Sequence, residues 1–278
     1  MTSERLTQFT NGPYTFDVID SGPLDGIPVV LLHGFPQRAT CWNAVSEHLH
    51  AAGLRTYAPD QRGYSPGARP KSRFGYGAAA LTSDIVALID AIGAGPVHLV
   101  AHDWGGAIAW SVAGNHPDKV QTLTAVSVPH PGAFMRSMLS SLQIFKSYYM
   151  GLFQLPFLPE WILSSGRGDK LLRGGGMTKE MVAQFHTEIV DYGALPGGLG
   201  YYRSMFKVSP KQFGKKVSVP TTYVWSDDDV ALGRKGAEIN KNWVTGPYEF
   251  EIFEGASHWI PDERPAELAA SIIKRVGA

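Results

Sequence analysis

An α/β architecture, a mostly parallel sheet with helices on both faces, is predicted by three features of this 278-residue sequence. A continuous apolar run, Val29-Val30-Leu31-Leu32, and the stretch Val97 to Ala101 read as buried strands. Segments of helical periodicity alternate with such strands. A stretch from about Pro129 to Lys216 breaks that rhythm, and 13 of the 31 Phe, Trp and Tyr residues lie between positions 130 and 213.

In chain order, Tyr14 to Ile19 alternates like an early edge strand, and Val29 to Leu32 follows as a buried one. Thr56 to Ala58 makes a short strand ending at Pro59-Asp60. Leu81, Ile85, Leu88, Ile89 and Ile92 have helical spacing, and Gly93 and Gly95 stop that helix. The strand Val97–Ala101 runs into His102-Asp103-Trp104-Gly105-Gly106 and an apolar helix, Ala107 to Ala113. Val120–Val126, Thr221–Trp225 and Tyr248–Phe253 are further strands, and Glu267–Val276 closes the chain as a helix. The aromatic stretch, interrupted by Gly174-Gly175-Gly176 and Gly197-Gly198, reads as a helical cap inserted between two strands. Residues 1–128 and 217–278 then form the core and 129–216 the cap. Most cap aromatics are expected to pack into a core of the cap's own. A cap over the carboxyl edge of the sheet shelters a site from water.

Composition narrows the partners. Hydrophobic residues make up 44% and charged residues 18%, as in a globular chain with a large core. Lys plus Arg and Asp plus Glu number 25 each, so the net charge is zero. No basic stripe points to nucleic acid and no polybasic run to a membrane surface, which favours a small or neutral partner. Cys41 is the only cysteine and forms no intrachain disulfide. Met1 to Phe16 is polar, and no apolar run is long enough to insert across a bilayer. The chain is therefore expected to be soluble and cytoplasmic. A homo-oligomer is compatible with this composition.

The chemistry concentrates where Val97–Ala101 meets the next helix. A strand, a sharp turn flanked by the small residues Ala101 and Gly105, and a helix have the form of a nucleophile elbow. The turn lifts residue 103 above the sheet, and the helix N-terminus favours negative charge there. A carboxylate with a pKa near ~4 is ionised at neutral pH and needs no base to become a nucleophile. Its product with an alkyl carbon is an ester on the enzyme, which suits attack on an epoxide or an alkyl halide. Read in isolation, Asp103 serves equally well as an N-cap.

Five segments carry a resemblance: His33-Gly34-Phe35-Pro36, Asp60-Gln61-Arg62-Gly63-Tyr64, His102-Asp103-Trp104-Gly105-Gly106, Pro129-His130-Pro131 and Ala256-Ser257-His258-Trp259. Together they resemble the epoxide hydrolases of the α/β-hydrolase superfamily over nearly the whole chain. The sequence departs from that pattern at Ala101, where Gly is usual, at Ser65-Pro66-Gly67, and at Gly200-Tyr201, where an Asn-Trp pair is usual. The resemblance implies an α/β-hydrolase fold with Asp103 as nucleophile and His258, after the last strand, as catalytic histidine. His33 and His130 shape loops in that pattern. It spaces the acid three residues after a small residue, which Ser226 and Asp229 satisfy. No carboxylate follows the preceding strand at Ser127-Val128-Pro129. Asp229 is the choice, with Asp228 in reserve.

The resemblance also implies an oxyanion hole from the backbone N–H groups of Phe35 and Trp104, a cis Phe35-Pro36 bond, and two cap tyrosines as acids, Tyr149 and Tyr202. Tyr148 and Tyr201 are their immediate neighbours. The implied substrate is a small apolar epoxide, with water as co-substrate and no metal or organic cofactor. The nearest rival, a haloalkane or haloacid dehalogenase, shares the triad. Haloalkane dehalogenases often hold halide through an Asn at the position of Phe35 and the Trp after the nucleophile. Here the Trp is present and the Asn is not. A non-catalytic hydrolase-fold binding protein is the third reading.

Overall fold

The computed structural model describes residues 4–205 and 215–277. Eight strands among the described residues form one sheet: β1 (Gln8–Asn11), β2 (Tyr14–Ser21), β3 (Ile27–Leu32), β4 (Leu54–Pro59), β5 (Val97–His102), β6 (Val120–Val126), β7 (Thr221–Ser226) and β8 (Tyr248–Phe253). Their order is β1-β2-β4-β3-β5-β6-β7-β8. The β1–β2 and β2–β4 pairs are antiparallel, and every pair from β4 through β8 is parallel.

Period-two alternation sends the apolar residues of the central strands to both faces of the sheet. Val30, Leu32, Leu99 and Ala101 face one side, with the buried faces of α2 (Ala78–Ile92) and α3 (Trp104–Asn115). Val29, Leu31 and Val100 face the other, with α1 (Asn43–Ala51) and the C-terminal helix at Pro265–Val276. Both faces are covered, so neither β3 nor β5 can alternate apolar with polar.

The differences from expectation have local causes. The strand at Tyr14 is not the edge, because β1 pairs outside it through Gln8↔Asp17 to Asn11↔Tyr14. A four-residue strand with one buried residue, Phe9, gives almost no pattern to read. β4 extends beyond Thr56–Ala58 because Arg55 lies inside it. Arg55 is 1% exposed and pairs with Asp20 at 2.6 Å, so a charged residue interrupts the apolar run of a buried strand. α3 begins at Trp104 rather than Ala107.

Between β6 and β7 the chain is helical: α4 (Pro131–Ser140), α5 (Gln143–Lys146), α6 (Tyr148–Leu152), α7 (Leu158–Leu163), α8 (Gly166–Gly174), α9 (Lys179–Phe185), a π-helical turn at His186–Val190, and α10 (Leu195–Ser204). Residues 206–214 of the expected cap lie outside the described residues. The expectation that the aromatics here pack among themselves is corrected. Phe153, Phe185, Tyr201 and Tyr202 join the same cluster as the sheet, while Phe145, Tyr148, Phe157 and Trp161 are exposed. The helices lie directly on the sheet's carboxyl edge, and the aromatics that face it fill the seam. After β7 come α11 (Arg234–Ile239), then β8, α12 (Ile260–Glu263) and α13 (Pro265–Val276).

Candidate active site

β5 ends at His102 and α3 starts at Trp104, so Asp103 makes the whole connection alone. Its backbone has φ 51° and ψ −122°, a conformation that costs an L-residue roughly 1–3 kcal/mol. Apart from the N–H of Trp104, the Asp103 side chain makes no hydrogen bond that caps α3, which removes the N-cap reading. Instead Oδ1 accepts the Phe35 N–H at 2.7 Å. That contact needs a glycine before Phe35: a Cβ on Gly34 would stand 2.3 Å from the Asp103 Cβ. The Phe35-Pro36 bond is cis.

Asp229 and His258 arrive from the ends of β7 and β8. Asp229 Oδ1 accepts the N–H groups of Ala231 and Leu232 at 2.7 and 2.8 Å, leaving Oδ2 for His258 Nδ1 at 2.7 Å. His258 Nε2 then faces Asp103 Oδ2 at 3.6 Å. Asp228 is exposed and Asp227 accepts the Gly255 N–H, so of three consecutive aspartates only Asp229 reaches the histidine. The histidine loop is fixed from behind by residues that the sequence did not single out for that purpose. His102 Nε2 and Ser127 Oγ both donate to the His258 carbonyl, at 2.9 and 3.1 Å, and Ser226 Oγ donates to the Ser257 carbonyl at 2.7 Å. All three sit at the C-terminal ends of adjacent parallel strands, and that shared position was the available signal. His33 accepts the Gln61 N–H, and His130 accepts the Gly132 N–H at the start of α4.

Burial and charge set the protonation states. Burial works to lower the His258 pKa, but Asp229 and Asp103 on its two sides overcome this and push it up to about 10. Burial also works to raise Asp103. The His258 imidazole, His102 and the Trp104 backbone N–H outweigh it and hold the carboxyl below its ordinary range. His102 is pushed down to about 4, chiefly by burial, and is a neutral strut.

Above Asp103 lie two cavities. The larger, of about 510 Å³, opens among α6, α7 and α8; the smaller, of about 130 Å³, lies between α3 and α4. Asp103, Tyr149, Tyr202, Ala231 and His258 line both. The tyrosine rings stand 6.0 Å apart between centroids, and Tyr202 packs edge-on to Phe35 at 5.4 Å. Tyr202 gets there because α10 presses on the sheet edge: a Cβ on Gly197 would lie 2.2 Å from the Gly63 carbonyl. Both phenols are raised well above the ordinary range, first by burial and then by the Asp103 carboxylate. Their neighbours differ. Tyr201 donates its hydroxyl to the Arg62 carbonyl at 2.8 Å, and Tyr148 is mostly exposed at the rim of the larger cavity.

Comparison with known proteins agrees with this geometry. The α/β hydrolase fold family matches residues 27–265. The AB hydrolase superfamily protein YfhM of Bacillus subtilis is 35% identical, over 95% of this chain and 95% of its own length. Epoxide hydrolase A of Mycobacterium tuberculosis is 30% identical, over 98% of this chain and 96% of its own. The crystal structure of epoxide hydrolase A from Mycobacterium thermoresistibile superposes with a TM-score of 0.82 at 25% identity, covering 98% of this chain and 97% of that one. With a family model spanning most of its length and such relatives matched nearly end to end, the chain belongs to the α/β-hydrolase fold family and, within it, to the epoxide hydrolases.

Proposed function

We propose that the chain hydrolyses epoxides to vicinal diols through an ester on Asp103, with residues 129–216 acting as a cap on a core of residues 1–128 and 217–278. One observation carries this reading: a carboxylate nucleophile and two protonated phenols line the same cavities. In the first step Asp103 Oδ2 attacks an epoxide carbon. The C–O bond of the ring breaks, and its electron pair goes to the ring oxygen. Tyr149 and Tyr202 donate to that oxygen as charge develops on it. Oδ1 already accepts the Phe35 N–H, so it becomes the ester carbonyl oxygen inside its oxyanion hole, with the Trp104 N–H as second donor.

Esterification then changes His258. In the resting site two carboxylates hold its pKa up, and forming the ester removes the charge of one of them. Its pKa falls, so the imidazolium becomes a stronger acid and gives up its Nε2 proton, which replaces the one that the phenols passed to the ring oxygen. The neutral imidazole left behind is a usable base, still oriented through Nδ1 by Asp229. It takes a proton from water, the hydroxide attacks the ester carbonyl, and the diol leaves carrying the former Asp103 Oδ2. The two cavities give each substituent of the epoxide its own space around the nucleophile. Phe35 offers no side-chain donor to a departing halide, so nothing at that position favours dehalogenation.

Among the described residues no helix is long and apolar enough to cross a membrane. A cytoplasmic location fits the single buried, unpaired thiol of Cys41. The test is a panel of aryl, alkyl and long-chain epoxides beside 1-bromo- and 1-chloroalkanes at equal enzyme concentration. Diol from the epoxides with little halide release supports the reading. Halide release without any diol overturns it.

A further inference from the structure

We propose that Gln143 is a positioning residue for the acid Asp229, acting from the helical insertion; this rests on the mechanism above. Gln143 lies on α5 and is 3% exposed. Its Oε1 accepts the Gly233 N–H at 2.7 Å, and its Nε2 donates to the Ala231 carbonyl at 2.7 Å and to Ser147 Oγ at 3.0 Å. One side chain amide thus clamps the main chain at two residues, 231 and 233. The peptide groups between them are the ones that hold the acid, since Ala231 and Leu232 donate to Asp229 Oδ1. Lys146, one helical turn further on, adds a bond from Nζ to the Asp229 carbonyl at 2.9 Å.

The loop has few other restraints. On the sheet side, the Trp225 indole donates to the Leu232 carbonyl at 3.2 Å. Val230 and Asp228, which flank the acid, are exposed. Without Gln143 the amides that fix Asp229 Oδ1 lose their anchor, and the carboxylate can move relative to His258. The same residue also ties the loop to Ser147, directly before the helix that carries Tyr149. Gln143 is therefore the bolt between the acid and the insertion, and its effect falls on ester hydrolysis, the step that uses His258 and Asp229.

The test uses Gln143→Met, which keeps length and removes all three side-chain hydrogen bonds, and Gln143→Glu, which keeps the shape. Gln184→Met is the control, an exposed glutamine of α9 whose side chain bonds Glu188. Single-turnover experiments on the full chain with styrene oxide follow the ester on Asp103 by intact-protein mass spectrometry. Hydrolysis of the ester should slow about 10-fold or more in Gln143→Met, with ring opening changed less, as expected for a misplaced catalytic group. A carboxyl at this position can donate to the Ala231 carbonyl only when protonated, so the hydrolysis rate of Gln143→Glu relative to wild type should rise as pH falls. The Gln143→Met ratio should stay flat. Equal slowing of both steps in Gln143→Met, or hydrolysis within 2-fold of wild type, overturns the proposal. If wild type itself forms no ester, the mechanism fails rather than the positioning role alone.

Discussion

Replacing Asp229 with Asn keeps the shape of the acid and changes only what its two oxygens can do. Asp229 Oδ1 holds two backbone N–H groups and Oδ2 accepts from His258 Nδ1. An amide has one oxygen. If that oxygen stays with Ala231 and Leu232, the NH₂ group faces His258 Nδ1. The imidazole must then carry its proton on Nε2, where it cannot accept one from water. Turning the amide over restores the working tautomer but sets an NH₂ against two buried N–H donors. Leaving those two unpaired costs roughly 2–6 kcal/mol at about 1–3 kcal/mol each. That is a deficit of roughly 30-fold to 10⁴-fold in the active arrangement, since each 1.4 kcal/mol or so is a factor of ten. The loss should fall on ester hydrolysis, because ring opening needs Asp103 and the phenols but no base. Rapid-quench single turnovers should show the ester on Asp103 forming at a rate near that of wild type and then persisting. Ester decay within 10-fold of wild type in a folded Asp229→Asn protein would refute the tautomer argument.

Other perturbations separate the remaining roles. Tyr149→Phe and Tyr202→Phe should each slow ring opening by about 10²-fold and the double change should nearly stop it, read as the rate of ester formation. Gly34→Ala places a methyl 2.3 Å from the Asp103 Cβ, so both ester formation and melting temperature should fall; retention of both would mean that the Phe35 N–H contact is dispensable. His258 has a folded pKa of about 10, above the unfolded value near 6.5, so its contribution to stability is complete below about pH 6.5 and is lost as pH rises through about 10. The melting-temperature advantage of wild type over His258→Gln should shrink across that window; an advantage that grows with pH would contradict the charged triad.

How much of this was readable from the sequence depends on where each residue's partners sit. Asp103, Asp229 and His258 each follow a parallel strand, and local features mark them: the small-residue turn at Ala101 and Gly105, the Ser226-to-Asp229 spacing, and the loop Glu254–Ser257. A parallel sheet then brings its strand ends together without further information, and the three side chains do meet. The choice of Asp229 over Asp228 comes from the spacing that the family resemblance implies; that the loop turns Asp229 inward and leaves Asp228 in solvent is visible only in the structure. Gln143, His102 and Ser127 were not legible in this way. Their partners lie 88, 156 and 131 positions away, and nothing in their neighbourhoods reports those contacts. Arg55 misled in the opposite direction, because a charge inside a buried strand reads as a strand end unless its partner, Asp20, is known. The aromatics of the insertion misled because composition counts them without saying which face the sheet.

The central claim is that the oxygen given to the product comes from Asp103 and not directly from water. A single turnover in H₂¹⁸O with enzyme in excess over epoxide decides it. Attack by Asp103 Oδ2 followed by hydrolysis at the ester carbonyl gives an unlabelled diol in that first turnover and places ¹⁸O in the Asp103 carboxylate. A diol carrying ¹⁸O in the first turnover, with Asp103 unlabelled, would contradict the account.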